Sequence, residues 1–429
     1  MRYIEVEPSG PLQGTVQIPG SKNSSLALLA AACLADDKVK LEGIPAIDDV
    51  KVIARIGQEI GLGWDWQPTG ELWLDPRYIH SAMIDPGKAG SYRASYYFVG
   101  ALLAKFGRVT LGFPGGDDFT QRPIDQHIKT FQALGAKVVF TEDHYIVEAK
   151  ELRGADIYFD TITSGATINA MLAAARARGR TNLYNAAVDP EVVDTAAFLN
   201  SLGARIYGAG TDRIRIEGVP YLNGGSHTVI PDRLIAGAFL MAAGITGGTI
   251  TVNDVIPEHM GSCLAKLEEC GIGLEVRESG VTAYGGQPIR ASRIRTSMYP
   301  GFATDLQQPM TALLTRAQGK SIITERVFPN RFNHVPQLRR MGADIEVRQE
   351  SAFIHGGRPL SGGFVHATDV RAGTCLVLAG LSAEGKTYIT GVEHLTRGYD
   401  NVIGSFASIG AVLKLREDDQ DQEQLQVAY

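Results

Sequence analysis

Apolar positions along the chain alternate between two spacings. Residues 24–34 place Leu26, Leu29, Ala30 and Cys33 on one helical face, and Val39-Lys40-Leu41-Glu42 then alternates as a half-buried strand does. The same order recurs downstream. Ala101-Leu102-Leu103-Ala104 stops at Gly107 before Val109-Thr110-Leu111, and Met171-Leu172-Ala173-Ala174 stops at Gly179 before Thr181-Asn182-Leu183. Later helices are expected to stop at Gly247, Gly319 and Gly385, because glycine directly after a helix suits the left-handed C′ position. A second helix then runs to a tripeptide of one type: Ile60-Gly61-Leu62, Leu134-Gly135-Ala136, Leu202-Gly203-Ala204, Cys270-Gly271-Ile272, Met341-Gly342-Ala343 and Ile409-Gly410-Ala411. These endings return about every 70 residues, the mark of a fold assembled from similar units. Six α/β units, with helices buried by sheets, are the expectation.

At 429 residues the chain exceeds what one core usually holds, so two domains of three units each follow. Hydrophobic content of 44% and charged content of 21% are those of an ordinary globular protein. A formal net charge of −6 without a Lys/Arg cluster excludes a nucleic-acid surface. Cys33, Cys263, Cys270 and Cys375 form no CxxC pair and lie in apolar stretches, which predicts buried free thiols. The first residues, Met1-Arg2-Tyr3-Ile4-Glu5-Val6, have the pattern of a strand rather than of a signal peptide. No apolar run reaches membrane-spanning length, and a cytoplasmic location without membrane insertion is expected. Residues 416–429 are polar and acidic and are expected to form a disordered tail.

The unit starts carry the chemistry. They are Gly20-Ser21-Lys22-Asn23, Ser91-Tyr92-Arg93-Ala94-Ser95, Thr163-Ser164-Gly165-Ala166-Thr167, Pro231-Asp232-Arg233, Thr304-Asp305-Leu306-Gln307 and Thr368-Asp369-Val370-Arg371. Each puts Ser, Thr or Asp where a helix would be capped, and four of the six add a Lys or Arg. Helix starts offer N–H groups and the positive dipole end. Several of them facing one cleft would suit a multiply charged anion, whereas any single start is an ordinary cap. Residues 113–125 form a long polar loop, with Gly115-Gly116 as hinges and Asp117-Asp118 as adjacent carboxylates. A bare aspartate titrates near about 3.9, so acid catalysis from this loop would need desolvation or a neighbouring charge.

In this order and at these distances, the unit starts and loop resemble one family. Further matching motifs are Arg122-Pro123-Ile124-Asp125, Asp189-Pro190-Glu191-Val192-Val193-Asp194-Thr195, Asn330-Arg331-Phe332, His334-Val335-Pro336 and Arg397-Gly398-Tyr399. The resemblance, over residues 10–411, is to the enolpyruvyl transferases that act on UDP-N-acetylglucosamine. It implies an inside-out α/β barrel of two domains, each with three units about a pseudo-threefold axis. The domains would span 22–230 and 1–21 plus 231–429. It also implies transfer of the enolpyruvyl group of phosphoenolpyruvate to the sugar 3-hydroxyl with release of phosphate, without metal or cofactor. That reaction is the first committed step of peptidoglycan synthesis.

By the same resemblance, Lys22, Arg122 and Arg397 would hold the phosphate of phosphoenolpyruvate, and Arg331 and Arg371 would serve its carboxylate. Asp305 would take the proton from the sugar hydroxyl, with Asn23 near the reacting sugar and Asp369 near the reacting carbons. Arg93, Arg122, Pro123, Ile124, Asp125, Thr163, Ser164 and Gly165 would line the nucleotide pocket, and Arg233 and Val327 complete the substrate-binding set.

Asp117 stands where the commonest family loop has the cysteine that protonates the methylene carbon of phosphoenolpyruvate. Some members carry aspartate there. A carboxylate is a far poorer nucleophile than a thiolate toward the epoxide fosfomycin, so insensitivity to that drug is expected. Phe119-Thr120 replaces the usual Ile-Gly, while Asp48, Thr161 and Val188 stand where cations are common in the family. These changes leave two alternatives: an enolpyruvyl transferase using another nucleotide such as UMP, or a silent nucleotide-binding paralogue. Gly20-Ser21-Lys22 is shared with the shikimate 3-phosphate enzyme, but Asn23-Ser24-Ser25-Leu26 and the run from Arg122 to Asp125 favour a uridine nucleotide.

Overall fold

The computed structural model describes residues 2–91, 93–113, 115 and 123–417, leaving aside the side chains of 90, 91 and 93. It divides into two compact units, Gly20–Ile230 on the one hand and Met1–Pro19 with Pro231–Tyr429 on the other.

Each unit contains three four-stranded sheets of one design. In the first, strands Gly225–Thr228, Val39–Glu42, Leu72–Asp75 and Gly63–Trp66 lie in that order. The first pair is parallel and the others antiparallel, with Val39 opposite Leu74 and Trp64 also opposite Leu74. The same order holds in the other sheets, whose central strands are Arg108–Gly112, Arg180–Tyr184, Thr249–Asn253, Lys320–Thr324 and Thr387–Thr390. The sixth sheet takes its third strand from the chain start: Arg2–Val6 pairs with Thr387–Thr390 and with Leu413–Glu417. Arg416 and Glu417 thus face Tyr3 and Arg2 in a ladder, which corrects the expected start of the tail at 416. The rest of that tail, 418–429, lies outside the described residues.

The leading helix of each repeat is buried on nearly every side, the polar Gln307, Gln308 and Thr311 included. In one unit these are Lys22–Ala32, Tyr97–Phe106 and Ser164–Ala174, the middle one packing on both others. In the other unit Arg233–Thr246, Thr304–Thr315 and Val370–Leu381 pack pairwise. Helices therefore sit inside and sheets outside, the inside-out arrangement expected.

Local chemistry moves some boundaries. The first helix starts at Lys22 rather than Ser24, because the Ser21 hydroxyl accepts the Ser24 N–H at 3.3 Å and so caps it two residues earlier. It ends at Ala32 rather than 34, where Cys33 and Leu34 close tighter three-residue turns onto Ala30 and Ala31. Gly107 and Gly247 are left-handed helix caps as expected. Gly179, Gly319 and Gly385 are left-handed too, but stand past caps at Ala175, Arg316 and Ser382, in the turn that feeds the strand. All six tripeptide glycines, Gly61, Gly135, Gly203, Gly271, Gly342 and Gly410, have positive φ, which explains the repeat. The four cysteines are free and buried. Among the described residues no helix is long and apolar enough to cross a membrane.

Candidate functional site

In the unit Gly20–Ile230, Lys22 is the first helical residue, directly after the Ser21 cap. Its ammonium lies 2.6 Å from Asp49 Oδ2, at the start of the helix Asp48–Glu59. The turn below is anchored by Ser24, whose hydroxyl bonds Asp194 Oδ2, and by His227 Nε2, 2.7 Å from Asp194 Oδ1. Asn23 is half-buried beside Lys22.

The third start is built around crowding. Thr163 caps through its hydroxyl, which accepts the Ala166 N–H at 3.4 Å, and Ser164 and Gly165 form the first turn. A Cβ at Gly165 would lie 2.7 Å from the Tyr96 hydroxyl and 3.3 Å from the His127 ring, so any larger residue would have to displace the Tyr96 side chain. His127 Nδ1 faces the Asn169 amide nitrogen at 3.1 Å; the amide is a donor, which assigns the imidazole proton to Nε2. Pro123 is exposed and Ile124 half-buried before the helix Asp125–Ala133. Asp125 accepts from Gln126 at 2.7 Å, and the same amide reaches Asp160. Asp117 and Arg122 lie outside the described residues, as does the side chain of Arg93. Of the departures, Asp48 pairs with Lys51 at 3.2 Å, Thr161 is exposed and Val188 is half-buried.

In the other unit the three helix starts converge. Asp232 caps one, accepting from Leu234 and Ile235 N–H at 2.9 and 3.0 Å, and the neighbouring Arg233 stacks over the Tyr299 ring at 5.1 Å. Asp369 caps another, its Oδ1 accepting from Arg371 and Ala372 N–H at 2.8 and 3.1 Å, while Gln308 and Thr368 donate to Oδ2. The third start breaks the expected pattern. Among the described residues no side chain caps the helices that follow Ala303 and Tyr96. Thr304 and Asp305 lie inside the first turn instead, and this leaves the Asp305 carboxylate for other work.

That carboxylate is 27% exposed and meets two arginines that are only 5% and 7% exposed. Arg331 Nη1 donates to Asp305 Oδ1 at 2.6 Å, and Arg371 Nε donates to Oδ2 at 3.2 Å. Burial opposes the charge on Arg371, but Asp305, Asp232 and Tyr399 outweigh it and hold its pKa above the ordinary value. Val327 follows Glu325, whose carboxylate accepts the Val327 N–H at 2.9 Å. Arg397 is half-buried at the end of the short helix Val392–Thr396. The unit thus holds a reachable carboxylate among guanidinium forks, able to take a proton from a hydroxyl and to bind phosphate or carboxylate.

Two contributors escaped the sequence reading: Asp49 and Glu325. Asp49 had the signal of an acid in a helix first turn. Glu325 had the signal of a broken repeat. The residue after the central strand is left-handed in four repeats, at Gly43, Asn185, Asp254 and Gly391, whereas Glu325 is not. His334 stood in the motif His334-Val335-Pro336 without a role, and packing shows it buried against Thr311.

Among the described residues no group of three or more His, Cys, Asp or Glu side chains is placed to hold a metal ion. A cavity of about 470 Å³ lined by Trp64, Trp73 and Tyr78 with polar neighbours contains none of the candidate residues.

The sequence matches, over residues 6–406, the family described as EPSP synthase (3-phosphoshikimate 1-carboxyvinyltransferase). It is 48% identical over 416 residues to UDP-N-acetylglucosamine 1-carboxyvinyltransferase 2 of Geobacillus kaustophilus (strain HTA426), covering 97% of each chain. Against the protein of that name from Bacillus subtilis (strain 168) the identity is 46%, covering 99% of this chain and 100% of the other. The crystal structure of the enolpyruvyl transferase NikO from Streptomyces tendae superposes with a TM-score of 0.88 at 24% identity, covering 96% of this chain and 98% of that one. EPSP synthase from Acinetobacter baumannii gives 0.72 at 17% identity, covering 97% and 100%. These two likenesses establish the fold.

Proposed function

The chain belongs to the UDP-N-acetylglucosamine 1-carboxyvinyltransferases of the enolpyruvyl transferase family, and on that premise we propose that it transfers the enolpyruvyl group of phosphoenolpyruvate to the 3-hydroxyl of UDP-N-acetylglucosamine. The product and inorganic phosphate leave, and the step opens peptidoglycan synthesis in the cytoplasm. The observation that carries the reading is the pairing of Asp305 with Arg331 and Arg371 at one helix start.

Asp305 is assigned as the base. Paired with two guanidinium groups and still partly exposed, its carboxylate is placed to accept the sugar hydroxyl proton. The sugar oxygen then bonds to C2 of phosphoenolpyruvate while a proton is delivered to C3. Asp117 is assigned as the donor of that proton. The tetrahedral intermediate keeps phosphate and carboxylate; loss of a C3 proton and departure of phosphate restore the double bond. Arg331 and Arg371 are assigned to the carboxylate, and Lys22, Arg122 and Arg397 to the phosphate. Asp369 is assigned to fix Arg371, since it accepts that residue's backbone N–H at 2.8 Å. Asn23, Arg93, Arg122 to Asp125, Thr163 to Gly165, Arg233 and Val327 are assigned to the sugar nucleotide. Relatives at 46–48% identity do not favour the UMP or silent-paralogue alternatives.

The test is phosphate release from phosphoenolpyruvate with UDP-N-acetylglucosamine, then with UMP. Turnover with the sugar nucleotide supports the reading. Turnover with UMP alone removes the acceptor assignment, and silence with both removes the enzyme.

A further inference from the structure

Glu325 is fully buried, yet among the described residues no lysine or arginine pairs with it. Its Oε1 accepts from the Thr296 hydroxyl at 2.5 Å and from the Val327 and Phe328 N–H groups at 2.9 and 3.0 Å. Its Oε2 accepts from the Thr304 hydroxyl at 2.8 Å. Burying a carboxylate is costly. The turn 325–328 alone needs only one acceptor oxygen, which a neutral glutamine also supplies.

The fourth bond is what an amide nitrogen cannot make in the same sense. A hydroxyl has one proton. Given to Glu325, it leaves the Thr304 oxygen as an acceptor, and Arg331 Nη1 donates to that oxygen at 3.2 Å. The same Nη1 donates to Asp305 Oδ1 at 2.6 Å. We propose that Glu325 is a positioning residue for the transfer reaction: it fixes the Thr304 proton, Thr304 thereby holds the Arg331 guanidinium, and that guanidinium aims the Asp305 carboxylate. The proposal rests on the reading of Asp305 as the base.

The chain Glu325–Thr304–Arg331–Asp305 lies within one unit and joins a strand end to a helix start. It also accounts for the broken repeat. Where four of the other repeats use Gly, Asn or Asp to turn left-handed after the strand, this one places a longer acid that reaches the first turn of the helix bearing Asp305.

Glu325→Gln replaces the Oε2 acceptor by a donor, so the Thr304 proton must turn elsewhere. The expected result is a loss of about a hundredfold in kcat, as for a reacting group displaced by about 1 Å, with KM for the sugar nucleotide little changed. Thr304→Val should lose as much, and Thr304→Ser should keep the wild-type rate. The Glu325→Gln/Thr304→Val double variant should be no slower than either single one. Multiplying losses would reduce Glu325 to a support of the turn and overturn the relay. If Glu325→Gln does not fold, the Val and Ser variants of Thr304 decide alone, and equal rates overturn it. A wild type without transfer activity removes the assigned reaction, and the relay is then read from a crystal structure of Thr304→Val. There the Arg331 guanidinium should leave Asp305, and an unmoved guanidinium overturns the relay.

Discussion

The ammonium of Lys22 lies 2.6 Å from Asp49 Oδ2, with the two side chains only 14% and 6% exposed. An anionic substrate assigned to Lys22 must therefore share that charge with an acid already in place. Asp49→Asn removes the carboxylate from a largely buried pair, a change that typically costs about 3–5 kcal/mol. A bound phosphate would supply part of the lost negative charge. Inorganic phosphate should accordingly raise the melting temperature of Asp49→Asn more than that of the wild type. Equal shifts in differential scanning fluorimetry would detach Lys22 from the phosphate.

Asp305→Asn keeps the shape of the side chain but removes the group that accepts the proton. We expect kcat to fall by about 10²–10⁴-fold, the usual contribution of a general base, with sugar-nucleotide binding preserved in calorimetry. Arg331→Lys should also be costly, because Nη1 makes the bonds to both Thr304 and Asp305 and the shorter lysine stem, without the planar guanidinium, does not hold a donor at that point. A wild-type turnover rate in Asp305→Asn would remove its assignment as the base.

The repeat made much of this fold legible in the sequence. The six left-handed glycines impose a backbone requirement that side-chain pattern alone can reveal, and helices as apolar as Ser164–Ala174 announce their own burial. Capping was legible at Ser21, Thr163, Asp232 and Asp369 because the cap residue bonds locally, two or three residues ahead. It misled at Thr304, whose hydroxyl bonds Glu325, 21 residues away. Arg331 and Arg371 are likewise joined to Asp305 across 26 and 66 residues, and only the packing of two helix starts and a loop brings them together. The family resemblance supplied those residues before geometry did. The loop with Asp117 falls outside the described residues, and its role is the one that the family resemblance implies.

The cysteines sharpen the fosfomycin expectation. Burial pushes Cys33 and Cys263 up to about 12, and Cys270, aided by Glu269, up to about 11; burial also raises Cys375. A thiol near 12 is about one part in 10⁵ ionised at pH 7, and the thiolate is the nucleophile. Native protein should therefore take up no label from a thiol reagent within minutes, and all four cysteines should react after denaturation. Fosfomycin should form no adduct by mass spectrometry, whereas Asp117→Cys should gain one. Adduct formation on the wild type would contradict both the carboxylate and the burial arguments.

Asp117 also has a pH signature. A general acid works only when protonated, so its contribution to kcat is complete below its pKa in the complex and lost as pH rises through that value. The high-pH limb of the kcat profile should move to higher pH in Asp117→Cys, whose thiol titrates above a carboxylate. Asp117→Asn should be nearly inactive. An active Asn variant would transfer the role elsewhere, with Asp118 the first residue to substitute.

His334 links the site to stability. It is fully buried, its Nε2 lies 3.1 Å from the Thr311 hydroxyl, and burial, aided by Arg331 and opposed by Asp369, pushes its pKa from 6.5 down to about 3. Below pH 6.5 the unfolded chain takes up a proton that the folded chain refuses. The stabilisation by neutral His334 is therefore complete above pH 6.5 and drains away as pH falls toward 3, by about 1.4 kcal/mol per pH unit. His334→Gln has no such proton to take up in either state. Its stability deficit relative to the wild type should be constant from pH 8 to 7 and then shrink steadily between pH 6 and 4. Urea unfolding of the two proteins in parallel across that range measures the difference directly, with the many carboxylates common to both cancelling out. A deficit that stays constant down to pH 4 would mean that His334 charges as readily in the folded protein as in the unfolded chain. The helix Thr304–Thr315 would then be held to the loop bearing Arg331 by a group that tolerates a proton.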